Sequence, residues 1–205
     1  MEKVLFCEPN VSYFHNLFSK KHCDEILSKS TEFNKSFSYN HQEKKSMVTD
    51  HRTSSTFQDK NNILEFHNKQ IFELLKPKFW YLKNFNFDCF ERVQVLKYEV
   101  GEEYKPHHDY FNTANSHVTD NDRIGTMITY LNDDFTGGET EFPELGIKVK
   151  PVTGASIFFE YKYLEQLNNK TLHAGLPVKS GTKYIATTWI RINPYTEKDN
   201  LLPKE

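Results

Sequence analysis

The stretch Tyr98-Glu-Val-Gly-Glu-Glu-Tyr104-Lys-Pro-His107-His108-Asp109 decides how the rest of the chain is read. It sets an imidazole and a carboxylate two residues apart in extended-looking sequence, where alternate side chains share a face. His107 and Asp109 thus supply two thirds of a 2-His-1-carboxylate metal site, a donor set that leaves three coordination positions open for small molecules. The second imidazole must come from far along the chain, and His173, in Leu172-His173-Ala-Gly-Leu-Pro177, is the candidate. By the same alternation His108 faces away from the metal.

A His-x-Asp triplet alone carries little weight, since such triplets arise by chance; the surrounding residues add to it. Lys183 opens the last strand candidate, and alternation puts Lys183, Ile185, Thr187 and Trp189 on one face, so a cation and an indole line one cavity. A cation there can pair with a ligand carboxylate, whereas a lysine standing alone reads as solvated. Tyr98 shares its face with Leu96 and Gln94 and either offers a hydroxyl to that carboxylate or is a core tyrosine. Thr140, after Gly137-Gly138-Glu139, offers a second hydroxyl or is a β-branched strand residue. Of the nine histidines, His15, His22, His41, His51, His67 and His117 have no partner at ligand spacing and read as surface or packing residues.

Length and charge set the outer bounds. The 205 residues suit one domain, and a formal charge of −2 gives no field for nucleic acid or an anionic membrane. Aromatics reach 15%, with 17 Phe and 11 Tyr, which predicts a core of bulky rings. Three widely spaced cysteines, Cys7, Cys23 and Cys89, argue against a disulfide framework and fit a reducing compartment. The opening MEKVLFCEPNVSYFHN has no long apolar run, so the expectation is a soluble, cytoplasmic protein, in the host compartment if the source is viral.

Along the chain, Ser19 caps a helix whose apolar positions are Cys23, Ile26, Leu27 and Phe33. Residues 34–62 are polar and read as a long surface loop containing Arg52-Thr-Ser-Ser. Ile63, Leu64, His67, Ile71, Leu74 and Leu75 predict a second helix ended by Pro77, with His67 on the edge of its stripe. From residue 87 the period becomes two, and strands are predicted at 124–131, 139–142, 146–150, 155–159, 171–174 and 184–192, separated by turn-forming clusters. No helix-length crossover lies between them, so the sheets are antiparallel and form a sandwich or jelly roll. The predicted class is α+β, mainly β, as one domain: a helical extension and loop over 1–86, a core over 87–193 and a tail over 194–205.

Five stretches, in order, resemble the prolyl 4-hydroxylase type of Fe(II)- and 2-oxoglutarate-dependent dioxygenase. They are Gln94-Val-Leu-Lys-Tyr98; Gly101 to Asp109; Arg123-Ile-Gly-Thr-Met-Ile-Thr-Tyr-Leu-Asn132; Gly137-Gly-Glu-Thr-Glu-Phe-Pro143; and His173-Ala-Gly-Leu-Pro-Val through Gly181-Thr-Lys183 to Trp189-Ile-Arg191. The resemblance implies a double-stranded β-helix (cupin-like jelly-roll) core. It implies that His107, Asp109 and His173 bind iron, that Lys183 pairs with the distal carboxylate of 2-oxoglutarate, and that Tyr98 and Thr140 assist. Tyr104, Arg123 and Trp189 match positions near the substrate peptide. Residues 34–60, where the family has a mobile segment over the peptide groove, diverge more, with only Arg52 and Ser54 recognisable.

The implied reaction hydroxylates prolyl residues of a peptide or protein, at C4, consuming O2 and 2-oxoglutarate and releasing succinate and CO2, with ascorbate as reductant. Asp109 argues against halogenation, since related halogenases lack that carboxylate. The iron and cosubstrate motifs do not report the substrate. Another residue or a small molecule therefore stays open as substrate, as does a non-catalytic jelly-roll module whose aromatic groove holds an extended peptide. No nucleic-acid or membrane partner is expected, and oligomeric state is not readable from the sequence.

Overall fold

Residues 2–6, 11–40, 45–47, 49–110, 123–161 and 169–196 are described by a computed structural model. The first half of the chain contains β1 (Glu2–Phe6), β2 (Val11–His15), helix α1 (Lys20–Lys29), β3 (Asn34–Lys35), β4 (Ser38–Asn40), β5 (Lys45–Met47), β6 (Ser55–Gln58) and helix α2 (Glu65–Leu75). There follow β7 (Gln94–Tyr98), β8 (Tyr104–His107), β9 (Arg123–Tyr130), β10 (Thr136–Gly137), β11 (Thr140–Phe142) and β12 (Ile147–Val149). The chain continues through β13 (Ser156–Glu160), β14 (His173–Gly175), β15 (Val178–Ser180) and β16 (Lys183–Arg191). A large antiparallel sheet has the order β1-β2-β13-β9-β16-β7-β6-β3, and a small one β12-β11-β14-β8. None of the described helices is long and apolar enough to cross a membrane.

Both faces of the large sheet are buried, which is why its central strands read as nearly unbroken apolar runs. On one face Val95, Met127, Phe158, Ala186 and Ile190 pack with Cys23 and Ile26 of α1 and Ile71 and Leu75 of α2. On the other, Leu96, Ile128, Tyr130, Ile157, Phe159 and Ile185 meet Phe142 and Val149 of the small sheet. The aromatic richness is spent here: Phe79, Phe142, Phe158, Phe159 and Tyr130 are among the largest fully buried side chains. The strands predicted at 124–131, 139–142, 146–150, 155–159 and 184–192 lie within one residue of the observed bounds at either end. The one expected at 171–174 begins only at His173, after a single 3-10 turn. α1 starts as expected, with Ser19 Oγ accepting the His22 backbone N–H at 3.2 Å.

Two expectations are corrected. Residues 34–62 are not a plain surface loop: β6 pairs with β7, matching Phe57 with Val95, and β3 pairs with β6. The polar composition misled because the hydroxyls are buried against one another, with Ser36 Oγ 2.8 Å from Ser54 Oγ and 2.6 Å from Thr56 Oγ1. Nor are residues 1–86 a helical extension beside the core, since β1, β2, β3 and β6 complete the large sheet and α1 and α2 cover it. Part of the expected mobile segment is tied to the edge of the small sheet. Lys105 N donates to His51 O at 2.9 Å, Thr53 N to Glu103 O at 3.1 Å, and Arg52 bridges Tyr104.

Candidate active site

Sheet pairing converts distant sequence into one cluster. β8 and β14 run antiparallel with His107 opposite His173, and Asp109 sits in the bend just beyond β8. The ligand atoms of His107, Asp109 and His173 all lie within 4.8 Å of one another. His107 Nε2 is 3.5 Å from Asp109 Oδ1, and His173 Nε2 is 3.6 Å from Oδ2. Each imidazole is turned by a bond from its other nitrogen to a carbonyl two residues earlier: His107 Nδ1 to Lys105 O at 2.8 Å, His173 Nδ1 to Thr171 O at 3.0 Å. A carbonyl can only accept, so the proton rests on Nδ1 and the Nε2 lone pair faces the cluster, as metal ligation requires.

Electrostatics point the same way. Burial lowers the His173 pKa to about 4, with His107 adding to the effect, so that imidazole is neutral at physiological pH. Burial alone would raise the Asp109 carboxyl, but His173, His107 and Arg123 outweigh it and hold the group well below the usual carboxylate range. Two imidazoles with Nε2 turned inward and an ionised carboxylate suit a divalent cation with open positions, so the residues present fit iron. His108 stays outside the cluster, its ring 4.8 Å from that of Tyr110.

The cavity beside this cluster lies between the two sheets, and Lys183, Ile185, Thr187 and Trp189 line it together as their alternation predicts. Lys183 pairs with Tyr98 across β16 and β7, its Nζ 5.0 Å from the Tyr98 ring centroid. The ammonium is fully buried and donates to Gly138 O at 2.7 Å, and no carboxylate of a described residue forms an ion pair with it. Burial lowers its pKa to about 8 although Glu139 pulls the other way. Gly138 has φ of +66°, and a Cβ there would come within 3.0 Å of the Lys183 chain, so glycine is needed for both reasons. A buried cation with no ion-pair partner among the described residues suits an anionic ligand such as the distal carboxylate of 2-oxoglutarate.

The remaining predicted residues also converge, on the cavity or close beside it. Thr140 is buried and accepts from Tyr130 OH at 2.7 Å. Tyr104 stacks on His107 with centroids 3.4 Å apart and carries the Arg52 guanidinium 5.1 Å from its own centroid. Trp189 holds the Arg123 guanidinium 4.0 Å from its ring centroid, while its indole Nε1 is buried without a hydrogen-bond partner among the described residues. Arg123 donates to both Glu91 oxygens, at 2.7 and 3.1 Å, and to Asp109 O at 3.0 Å, and Arg191 adds a 2.7 Å bond to Glu91.

Sequence reasoning missed several members. Thr126, Ile128 and Tyr130 alternate on the inward face of β9, a signal that was available, and Thr126 Oγ1 bonds Asp109 Oδ2 at 2.9 Å. Glu91 and Arg191 had no such signal, because their pairing depends on β9, β16 and the residues before β7 coming together. His51 was set aside, yet its ring lies 5.7 Å from Tyr104 and 6.5 Å from His107. His67 was placed on a helix edge and is instead fully buried, bonded to His22. His41 and His117 lie outside the described residues.

Comparison with known proteins agrees with this geometry. A family model described as the 2OG-Fe(II) oxygenase superfamily matches residues 93–191. Probable prolyl 4-hydroxylase 3 of Arabidopsis thaliana is 30% identical over 217 residues, covering 94% of this chain and 73% of that protein. The crystal structure of the viral collagen prolyl hydroxylase of Paramecium Bursaria Chlorella virus-1, in its 2OG complex, superposes with a TM-score of 0.69. It is 31% identical and covers 88% of this chain and 95% of that one. A Trichoplax adhaerens prolyl hydroxylase in complex with a hypoxia inducible factor peptide fragment shares the fold at a TM-score of 0.63 and 17% identity. Fold, donor set and relatives agree, and the chain belongs to the 2OG-Fe(II) oxygenase superfamily as a prolyl 4-hydroxylase-like member.

Proposed function

We propose that this protein hydroxylates prolyl residues, at C4, in a peptide or protein substrate, using Fe(II), 2-oxoglutarate and O2 and releasing succinate and CO2, with ascorbate as reductant. The observation that carries the proposal is the His107, Asp109 and His173 cluster beside the buried Lys183, which has no ion-pair partner among the described residues. In this reading the three ligands hold iron, which with O2 and 2-oxoglutarate supplies the oxidising power for a C–H bond.

The chain's own residues do the rest. Lys183 neutralises the distal carboxylate of 2-oxoglutarate, while Tyr98 and the Tyr130–Thr140 hydroxyl pair flank it and fix its direction. The Nδ1 bonds to Lys105 O and Thr171 O keep both Nε2 atoms aimed before any ligand arrives, so little reorganisation is left for the reaction. The apolar walls of Leu96, Ile128 and Ile185 exclude water from the cosubstrate. The peptide enters past Tyr104 and Trp189, with Arg123 held behind Trp189 by Glu91. The support for a prolyl substrate is the prolyl 4-hydroxylases among the relatives.

The test supplies Fe(II), ascorbate and 2-oxoglutarate to the purified protein, with and without a proline-rich peptide. Succinate formation that rises with the peptide, together with a +16 Da product localised to proline by mass spectrometry, is expected. Oxygen on another residue would overturn the prolyl assignment, and absence of even uncoupled succinate would overturn the oxygenase reading.

A further inference from the structure

The two oxygens of Asp109 are treated differently. Oδ1 lies 3.5 Å from His107 Nε2 and Oδ2 3.6 Å from His173 Nε2, and Oδ2 also accepts a bond from Thr126 Oγ1 at 2.9 Å. An ionised carboxylate can only accept, so the Thr126 hydroxyl donates and its single proton is used. Tyr161 OH lies 2.7 Å from the same Thr126 oxygen, and because Thr126 has no second proton the phenol must be the donor. The direction is fixed along the whole chain, from Tyr161 through Thr126 to Asp109.

The chain is built into the sheet. Thr126 on β9 pairs in register with Phe159 on β13, and Tyr161 follows two residues later. Thr126, Tyr161 and Asp109 are all buried, a setting in which successive hydrogen bonds polarise and strengthen one another. Arg123 fixes the same residue's carbonyl, so Asp109 is gripped at both backbone and side chain. With one Oδ2 lone pair committed to Thr126, the carboxylate is held in a single orientation beside both imidazoles.

Resting on the metal site proposed above, we infer that Thr126 and Tyr161 are positioning residues that fix the orientation in which Asp109 meets the metal, by engaging one lone pair of Oδ2. The test titrates Co(II) alone into metal-free protein, reading affinity by calorimetry and coordination by the d–d absorption spectrum. Thr126→Val, nearly the same shape without the hydroxyl, is expected to weaken Co(II) binding at least about tenfold, in the range of lost partners behind a ligand, and to alter the spectrum. Tyr161→Phe, which removes the outer link only, gives a smaller change in the same direction. Thr126→Ser restores the hydroxyl and with it the affinity and spectrum.

Thr126→Val binding Co(II) with the parent affinity and spectrum overturns the inference, and so does an equal loss in Thr126→Ser, which would assign the effect to packing. Should Thr126→Val not fold, parent-like behaviour of Tyr161→Phe overturns the chain. A parent protein that takes up no Co(II) removes the metal site itself, a separately recognisable outcome that removes the inference with it.

Discussion

Two histidine pairs among the described residues hold their rings in close contact, and of these two only one is equipped to bind metal. His107 and His173 approach with centroids 4.2 Å apart, and His22 and His67 with centroids 5.3 Å apart. In the first pair each Nδ1 is tied to a carbonyl and each Nε2 faces Asp109. In the second, His22 Nε2 bonds His67 Nδ1 at 3.0 Å, His67 Nε2 lies 3.4 Å from Thr129 Oγ1, and Phe18 packs on both rings. There one ring donates its N–H to the lone pair of the other inside an aromatic cluster. Proximity of imidazoles does not make a metal site; a carboxylate, pre-turned lone pairs and an adjoining cavity do.

The largest effect is expected from removing the carboxylate. Loss of a group behind a ligand weakens metal binding about 10- to 100-fold, so Asp109→Ala, which deletes a ligand, is expected to weaken Fe(II) binding by more than about 100-fold and to abolish turnover. His67→Leu and His108→Ala are expected to leave metal affinity at the parent value. Calorimetric titration with Fe(II) under anaerobic conditions measures all three, and equal weakening by His67→Leu would erase the distinction.

Next in size is Lys183, which separates cosubstrate binding from metal binding within the first region. Removing one member of a buried charge pair costs about 2–5 kcal/mol, so Lys183→Met is expected to raise the KM for 2-oxoglutarate at least about thirtyfold while leaving metal affinity without 2-oxoglutarate unchanged. Protonated Lys183 binds the anion, and its pKa before the anion arrives is about 8. The KM should therefore rise as pH increases through that value, and a pH-independent KM up to pH 9 would remove Lys183 from the role.

How much of this was legible follows from what periodicity records. Alternation reports faces, so Lys183, Ile185, Thr187 and Trp189 were placed together correctly, and His107 with Asp109 suggested a ligand pair that β14 completes. Alternation does not report what covers a face. Ser36, Ser54 and Thr56 looked solvated because their burial depends on partners 18 and 20 residues apart, and His67 looked peripheral because α1 and β9 supply its neighbours. Glu91, Arg123 and Arg191 lie up to 100 residues apart, and only the finished sheet brings them together.

The smallest expected effect concerns stability and isolates the second pair. Burial lowers the His67 pKa to about 3, and His22 next to it adds to the shift. The unfolded chain, with an ordinary histidine pKa near 6.5, takes up this proton first. The contribution of neutral His67 is thus fully present above about pH 6.5 and is lost as pH falls toward 3, with a limiting slope of about 1.4 kcal/mol per pH unit. His173, depressed to about 4 for the same reason, adds a second such contribution, but a bound metal protects that imidazole and leaves His67 untouched. Urea midpoints between pH 7.5 and 4.5 should therefore fall less steeply in His67→Leu than in the parent, with or without Mn(II). Added Mn(II) should flatten the parent profile only in part. If Mn(II) removed the whole acid dependence, His67 would carry none of it, and the second pair would be energetically silent.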